Sequence, residues 1–252
     1  MKSASGATTV ERSTSTSTQT RLSEPASPDL MGWRQDAAAR FNDRMLDRRR
    51  PFPCIFGVDA VKRQTLRFAF IPDDGNETTA LSEALREFIT NARDLGKRTS
   101  LVVFFERNLE EGASIDEYED RFWKLLQGLH DRDDHPWPEE IPTDTEDPEW
   151  EFSFAGMPMF VVANTPAHQL RQSRYFERFA ITFQPRFVFD DIRGDSRQGK
   201  GARKIIRGRL HTYDAVEPSS TLGDFGADGN REWGSPDFRW GWGDTPRTRV
   251  SL

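Results

Sequence analysis

The stretch "EWEFSFAGMPMFVVANT", residues 149–165, decides how the strands of this chain are joined. Two apolar runs lie on either side of Gly156, the pattern of a hairpin whose turn uses glycine. Working outward, "TLRFAFI" (65–71) alternates Leu66, Phe68 and Phe70 with Thr65, Arg67 and Ala69, the two-residue period of a half-buried strand. "TSLVVFFE" (99–106) reads as a central strand and "AITFQPRFVF" (180–189) as a further one. "PFPCIFGVDAVKRQ" (51–64) reads as an extended, proline-bounded lead-in to the first strand. These strands outnumber what strict βαβ alternation supplies, and some are hairpin-linked. The expected class is therefore α+β, a mixed, mostly antiparallel sheet covered by helices.

Helices fill the intervals. In "SPDLMGWRQDAAARFNDRML" (27–46), Leu30, Trp33, Ala37, Phe41 and Met45 (or Leu46) recur at three- and four-residue spacing behind a Ser/Pro/Asp start signal. "ETTALSEALREFITNARDLG" (77–96) ends on Gly96. "SIDEYEDRFWKLLQGLHDRD" (114–133) opens with Ser114 three residues before Glu117, a capping box. "PAHQLRQSRYFERF" (166–179) reads as a short helix with Pro166 at its first position, and "GKGARKIIRGRLHTYDA" (199–215) as a basic helix.

Residues 1–28 are rich in Ser and Thr with hardly any large apolar side chain, and are expected to be a disordered tail. Residues 29–252 are expected to form a single domain that ends in an irregular segment rich in Gly, Trp and Pro. The net charge is −6 and the pI is near 5.4, a balance that argues against nucleic-acid binding through bulk charge. No apolar run approaches the roughly 20 residues of a membrane span, and no secretory signal is visible, so the expected location is cytoplasmic. One cysteine excludes an internal disulfide and a cysteine-rich zinc site. Nineteen Phe and seven Trp supply enough aromatic surface to line a pocket for a flat guest.

Several motifs tempt. "GDSRQGKG" (194–201) follows the start of a phosphate loop, but Gly201 stands where Ser or Thr would hold Mg²⁺, and a flexible basic turn is the plainer reading. "NET" (76–78) is a glycosylation sequon with no secretion signal to make it relevant. "DRDDHPWPEEIP" (131–142) gathers carboxylates around His135, yet three prolines deny it the scaffold of a metal site. His130 and His211 read as histidines among charged neighbours on helices. Cys54 has two readings, a thiolate ligand to iron and a small buried hydrophobe, the usual fate of a lone cysteine. His168, Arg171 and Arg174 follow one another at i, i+3 spacing, which on a helix places them near one face. A neutral imidazole is a good iron ligand, and two forked guanidiniums suit a pair of carboxylates. The plainer alternative pairs the arginines with surface acids and leaves the histidine capping local backbone.

Further blocks carry a resemblance: "PFPCIFG" (51–57), "LRFAF" (66–70), "SLVVFF" (100–105), "YEDRFWKLLQGLHDRDDHPWPEEIP" (118–142), "WEFSFAGMPMFVVANTPAHQLRQSR" (150–174), "FQPRFVFD" (183–190), "IRGRLHTYD" (206–214) and "GNREW" (229–233). Together they resemble the YqcI/YcgG family over roughly residues 50–233, most specifically in the block at 150–190. Members of this group resemble heme proteins that N-oxygenate amino or guanidino groups, among them arginine N-hydroxylases of the D-cycloserine and guanitoxin pathways. The resemblance implies heme b as cofactor, O₂ or peroxide as oxidant and an amino-acid-like substrate such as L-arginine, in specialised-metabolite biosynthesis. It places His168 as the iron ligand and Arg171 and Arg174 on the heme propionates, with Cys54 as the competing ligand. An external electron donor and a homodimer are both compatible with it. After Trp233 the sequence departs from the family: "GSPDFRWGWGDTPRTRVSL" (234–252) stands where a terminal Cys-Pro-Phe-like end is expected.

A guanidinium substrate is a cation and needs a carboxylate partner once out of water. Glu151, Asp190 and Asp191 flank the specific block as candidates, although Glu151 at a strand start commonly faces solvent. Arg186 is the candidate for the substrate carboxylate. Two other readings stand beside the enzyme: a non-catalytic heme carrier or sensor, and a nucleotide binder using Gly194 to Gly201.

Overall fold

The computed structural model describes residues 22–25, 27–145, 147, 149–192 and 196–216. The tail before residue 22, the segment after 216 and the block 229–233 lie outside the described residues. The elements run α1 (Trp33–Leu46), α2 (Ile55–Lys62), β1 (Leu66–Ile71), α3 (Glu77–Leu95), β2 (Ser100–Phe105), α4 (Ile115–His130), β3 (Phe152–Phe154), β4 (Met157–Asn164), β5 (Ala180–Pro185) and α5 (Arg197–Tyr213). Two 3₁₀ turns, Gln172–Arg174 and Arg186–Phe189, follow β4 and β5.

The five strands form one open sheet in the order β1-β2-β5-β4-β3. β1 and β2 are parallel, and the other three pairings are antiparallel. This is the mixed, mostly antiparallel α+β architecture that the strand pattern implies. Ala155 and Gly156 both take positive φ (50° and 70°) at the hairpin between β3 and β4, a conformation that glycine adopts without a Cβ penalty.

Each face of the sheet has its own core. On one side Ile71, Leu101, Val103, Phe105, Ile181 and Phe183 meet the apolar faces of α3 (Leu81, Leu85, Phe88) and α4 (Phe122, Leu125, Leu129). On the other, Leu66, Phe68, Phe70, Val102 and Phe104 meet α1 (Ala37, Ala38, Met45) and α2 (Ala60, Val61). Edge-to-face aromatic contacts order this second core: Phe41 packs on Phe68 at 5.4 Å and on Phe104 at 5.8 Å. The Ser114/Glu117 capping box is present, with both reciprocal bonds formed.

Several local expectations are corrected. The stretch 51–64 is not an extended lead-in: residues 55–62 are helical, and the Cys54 thiol caps that helix by accepting from the Gly57 amide at 3.4 Å. Helix α1 starts at Trp33 behind Gly32, later than the Ser/Pro/Asp signal. The stretch 166–179 is not an α-helix. Thr165 bridges to Tyr175, which closes the segment into a loop, and Tyr175 leaves it in extended conformation towards β5. That pairing outweighs the helix-start preference of Pro166. β5 is also shorter than the run 180–189, since Arg186–Phe189 turns into 3₁₀ helix after Pro185.

Cover on the second face is uneven. Met159, Val161 and Ala163 of β4 are buried in the core shared with α3 and α4, whereas Phe160, Val162 and Asn164 are only half-buried. Register places Val162 beside Thr182, Thr182 beside Val102, and Val102 beside Phe68, so this half-covered row belongs to the α1/α2 side. The candidate site lies at the end of that row.

Candidate functional site

β4 ends at Asn164, and the chain folds back through residues 165–175. Two main-chain bonds form the neck of this loop, from Thr165 N to Arg174 O (3.1 Å) and from Phe176 N to Thr165 O (3.2 Å). Asn164 reaches across it, donating from Nδ2 to Ser173 O at 3.3 Å. Phe176, directly after the loop, packs on Phe104 and Phe41 and so ties the loop to the second core.

His168 sits in this loop with 3% of its surface exposed. Its Nδ1 lies 2.8 Å from Thr165 Oγ1, which also accepts from the Ala167 amide at 3.2 Å. Burial, joined by repulsion from Arg174 and then Arg171, lowers the imidazole pKa to about 3. The ring is therefore neutral at physiological pH, the state in which imidazole ligates metals. Arg174 is lowered to about 10, first by burial and then by Arg171, while Asp214 and Cys54 push it back up. Burial raises the Cys54 thiol, against smaller opposing effects of the Gly57 and Phe56 amides and of Arg174. His168, Arg171, Arg174 and Cys54 thus stand in one electrostatic neighbourhood. They meet through a folded-back loop rather than along a helix face.

Three members of this site escape a reading of the sequence. Asp214, directly after α5, accepts from Ser173 N (2.6 Å) and Ser173 Oγ (2.8 Å) and lies 3.8 Å from Arg171 Nη1. Thr165 orients His168. Arg44 of α1 donates to Gln172 O and lies over the rings of Phe52, Tyr175 and Tyr213 at 5.7–5.8 Å. Only Asp214 leaves a signal in the sequence, since a carboxylate at a helix C-terminus opposes the helix dipole.

The substrate candidates fall differently. Glu151 is buried, contrary to the common solvent-facing outcome, and accepts from Arg186 Nε. Asp190 is exposed, while Asp191 is held by Arg98 (2.7 Å) and Lys97 (2.9 Å). Arg98 lies over Phe56 at 4.8 Å, and Phe56 and Phe160 both pack edge-on against Phe189, which extends the half-covered row with aromatic surface.

The other motifs are accounted for locally. Gly199, Lys200 and Gly201 are helical residues of α5, and Ser196 caps that helix by accepting from Gly199 N at 3.0 Å; Gly194 lies outside the described residues. In the 131–142 loop, Asp133 accepts from Ala155 N at 2.6 Å, and Trp137 stacks on Trp150 at 6.3 Å. Among the described residues no group of three or more His, Cys, Asp or Glu is placed to hold a metal ion.

The sequence pattern of the YqcI/YcgG family matches residues 41–235, which takes in this whole arrangement. The chain belongs to the YqcI/YcgG family. Among the family relatives, YcgG of Bacillus subtilis (strain 168) is 41% identical over 209 residues, 81% of this chain and 83% of its own length. YqcI of the same organism is 40% identical over 208 residues, 81% and 82% of the two chains. The Streptomyces lavendulae protein named "Putative N(omega)-hydroxy-L-arginine synthase DcsA" is 35% identical over 216 residues, 83% and 80% of the two chains. No solved structure matches the chain. Among the described residues no helix is long and apolar enough to cross a membrane.

Proposed function

We propose that this YqcI/YcgG protein is a heme-dependent N-oxygenase that hydroxylates an amino or guanidino nitrogen of L-arginine or a related compound. The observation that carries the reading is the convergence of His168, Arg171 and Arg174 on one folded-back loop, with the imidazole buried and held neutral. The relative named "Putative N(omega)-hydroxy-L-arginine synthase DcsA" supports the substrate class.

The residues present fit heme. His168 offers a neutral imidazole whose Nδ1 pairs with Thr165 Oγ1; in the tautomer that donates Nδ1–H to this oxygen, Nε2 would carry the lone pair for iron. Arg171 and Arg174 offer two guanidiniums for the propionates, which are anions and would offset the mutual repulsion of these cations. Cys54 is the weaker ligand, because burial raises its thiol and a ligating sulfur must be deprotonated. Heme, when bound, supplies the activation of O₂ or peroxide. With O₂ the balance is R–NH₂ plus O₂, two electrons and two protons giving R–NHOH and water, so an external reductant is required; with hydrogen peroxide none is. Glu151 and Arg186, the candidates for a substrate's guanidinium and carboxylate, are paired with each other, so a substrate that uses either must open that ion pair.

Cys54 neighbours Arg174, and Arg174 neighbours His168, which supports a second reading as a six-coordinate heme carrier or sensor. One experiment separates these readings. The protein is produced with ample hemin; one portion is reduced and exposed to carbon monoxide, and a separate portion free of carbon monoxide is incubated in air with L-arginine and a reductant, or with peroxide. A band at about 420 nm indicates imidazole ligation and one at about 450 nm thiolate ligation. Product heavier than arginine by one oxygen supports the oxygenase. Heme without turnover favours the carrier, and a folded protein that takes up no hemin ends both readings.

A further inference from the structure

The C-terminus of a helix is the negative end of its dipole, so a buried carboxylate there needs nearby compensation. Asp214 is the C-cap of α5, and its side chain is 1% exposed. Its compensation comes from the loop that carries His168. Ser173 N–H donates to Oδ1 at 2.6 Å, Ser173 Oγ–H donates to Oδ2 at 2.8 Å, and Arg171 Nη1 stands 3.8 Å from Oδ2. Main chain adds a further link, from the Ala215 amide to the Leu170 carbonyl at 2.9 Å. Ser173 is the central residue of the 3₁₀ turn that ends in Arg174.

The loop is paired to itself across its neck at Thr165, Arg174 and Phe176, and short-range turns link His168 to Thr165 and Arg174 to Arg171. Its far side is held from outside by Arg44 on Gln172 O and by the end of α5. Of these holds, Asp214 combines two charge-assisted hydrogen bonds with an ion pair, and such bonds are roughly twice as strong as neutral ones. It also supplies negative charge where Arg171 and Arg174 repel each other.

We propose that Asp214 is the positioning residue of this site: through Ser173 and Arg171 it fixes the loop that presents His168, Arg171 and Arg174. It acts through these neighbours and is not assigned a contact with ligand. Its consequence for cofactor binding rests on the heme reading above, whereas its effect on loop order does not.

The test uses the full chain, free of heme, with hydrogen exchange read by mass spectrometry on peptides covering 166–176 and, as internal control, on peptides covering α3 and β2. Asp214→Ala is expected to speed exchange in 166–176 by about tenfold or more while the control peptides hold. Ser173→Ala, which removes one donor and keeps the carboxylate, gives a smaller increase in the same peptides. Asp214→Glu restores part of the protection, which loss of overall stability alone would not explain. Hemin titration of the same variants is expected to show about tenfold weaker binding for Asp214→Ala. Unchanged exchange in folded Asp214→Ala overturns the proposal. Should that variant unfold, so that the control peptides exchange as well, Ser173→Ala decides: protection equal to wild type overturns it. A loosened loop with undiminished hemin affinity overturns the link to cofactor binding. If the wild-type chain binds no hemin, the heme reading fails, and the positioning role stands or falls on the exchange data alone.

Discussion

Arg186 Nε donates to Glu151 Oε2, joining the residue before β3 to the residue after β5 across the sheet. Both side chains are largely covered, with 8% of Glu151 and 20% of Arg186 exposed. The two groups assigned to opposite ends of a substrate thus hold each other, and a guanidinium arriving at Glu151 meets a site that already binds one. Removing one partner leaves the other charge buried. Glu151→Gln should therefore destabilise the protein by about 2–4 kcal/mol in urea unfolding. Adding Arg186→Leu should return a large part of that loss, giving a coupling of about 1 kcal/mol or more. Strictly additive single effects would show that the pair does not act as a unit.

The His168 titration sets an acid limit on the heme-free protein. The folded pKa is about 3, below the roughly 6.5 of an unfolded histidine. Between those values the unfolded chain takes up a proton that the folded chain does not, so stability falls as pH falls through this window. From pH 7 to pH 5 the contribution is about 2 kcal/mol. Urea unfolding at both pH values should show a smaller drop for His168→Gln than for wild type. Equal drops would mean that the ring is protonated, or solvated, in the folded state.

Gly128 marks where α3 and α4 approach closely. A Cβ there would meet Thr78 Cγ2 at 2.7 Å. Alanine normally favours a helix over glycine by about 1 kcal/mol, but the clash with a stiff β-branched side chain should make Gly128→Ala destabilising by about 1–2 kcal/mol. In a Thr78→Ser background, free of the clashing methyl, the same substitution should be neutral or stabilising. Thermal unfolding of wild type, the two single variants and the double variant checks this. A Gly128→Ala cost of equal size in both backgrounds would assign it to some other contact.

The capping box of α4 is separable from the site. Ser114 Oγ accepts from Glu117 N at 3.2 Å, and Glu117 Oε2 accepts from Ser114 N at 2.8 Å. Ser114→Ala should cost about 1 kcal/mol with no effect on hemin affinity. Calorimetry and a hemin titration on one preparation suffice, and a change in hemin affinity would contradict the separation.

Where pattern and packing agree, the fold is legible in the residues. The long amphipathic repeats of α3 and α4, the alternation in β1 and the glycine between β3 and β4 each report a local period that the tertiary structure keeps. Two segments mislead because a local cue meets a stronger competing influence. Pro166 suits a helix start, but Thr165 pairs with Tyr175 and holds the chain in a loop. Residues 55–62 carry strand-like Ile, Phe and Val, yet form a helix capped by a thiol, which is not among the usual capping side chains.

By itself the sequence determined the mixed α+β class, the main strands and helices of the core, the family, and the candidate set His168, Arg171, Arg174 and Cys54. Local periodicity and residue chemistry carry that much. Tertiary structure alone decided that these four share one neighbourhood, that Asp214 bonds to their loop, and that Glu151 and Arg186 are partners. The reason is that such contacts join residues distant along the chain, and they form only once the sheet and its helices have brought β4, α2 and the end of α5 together.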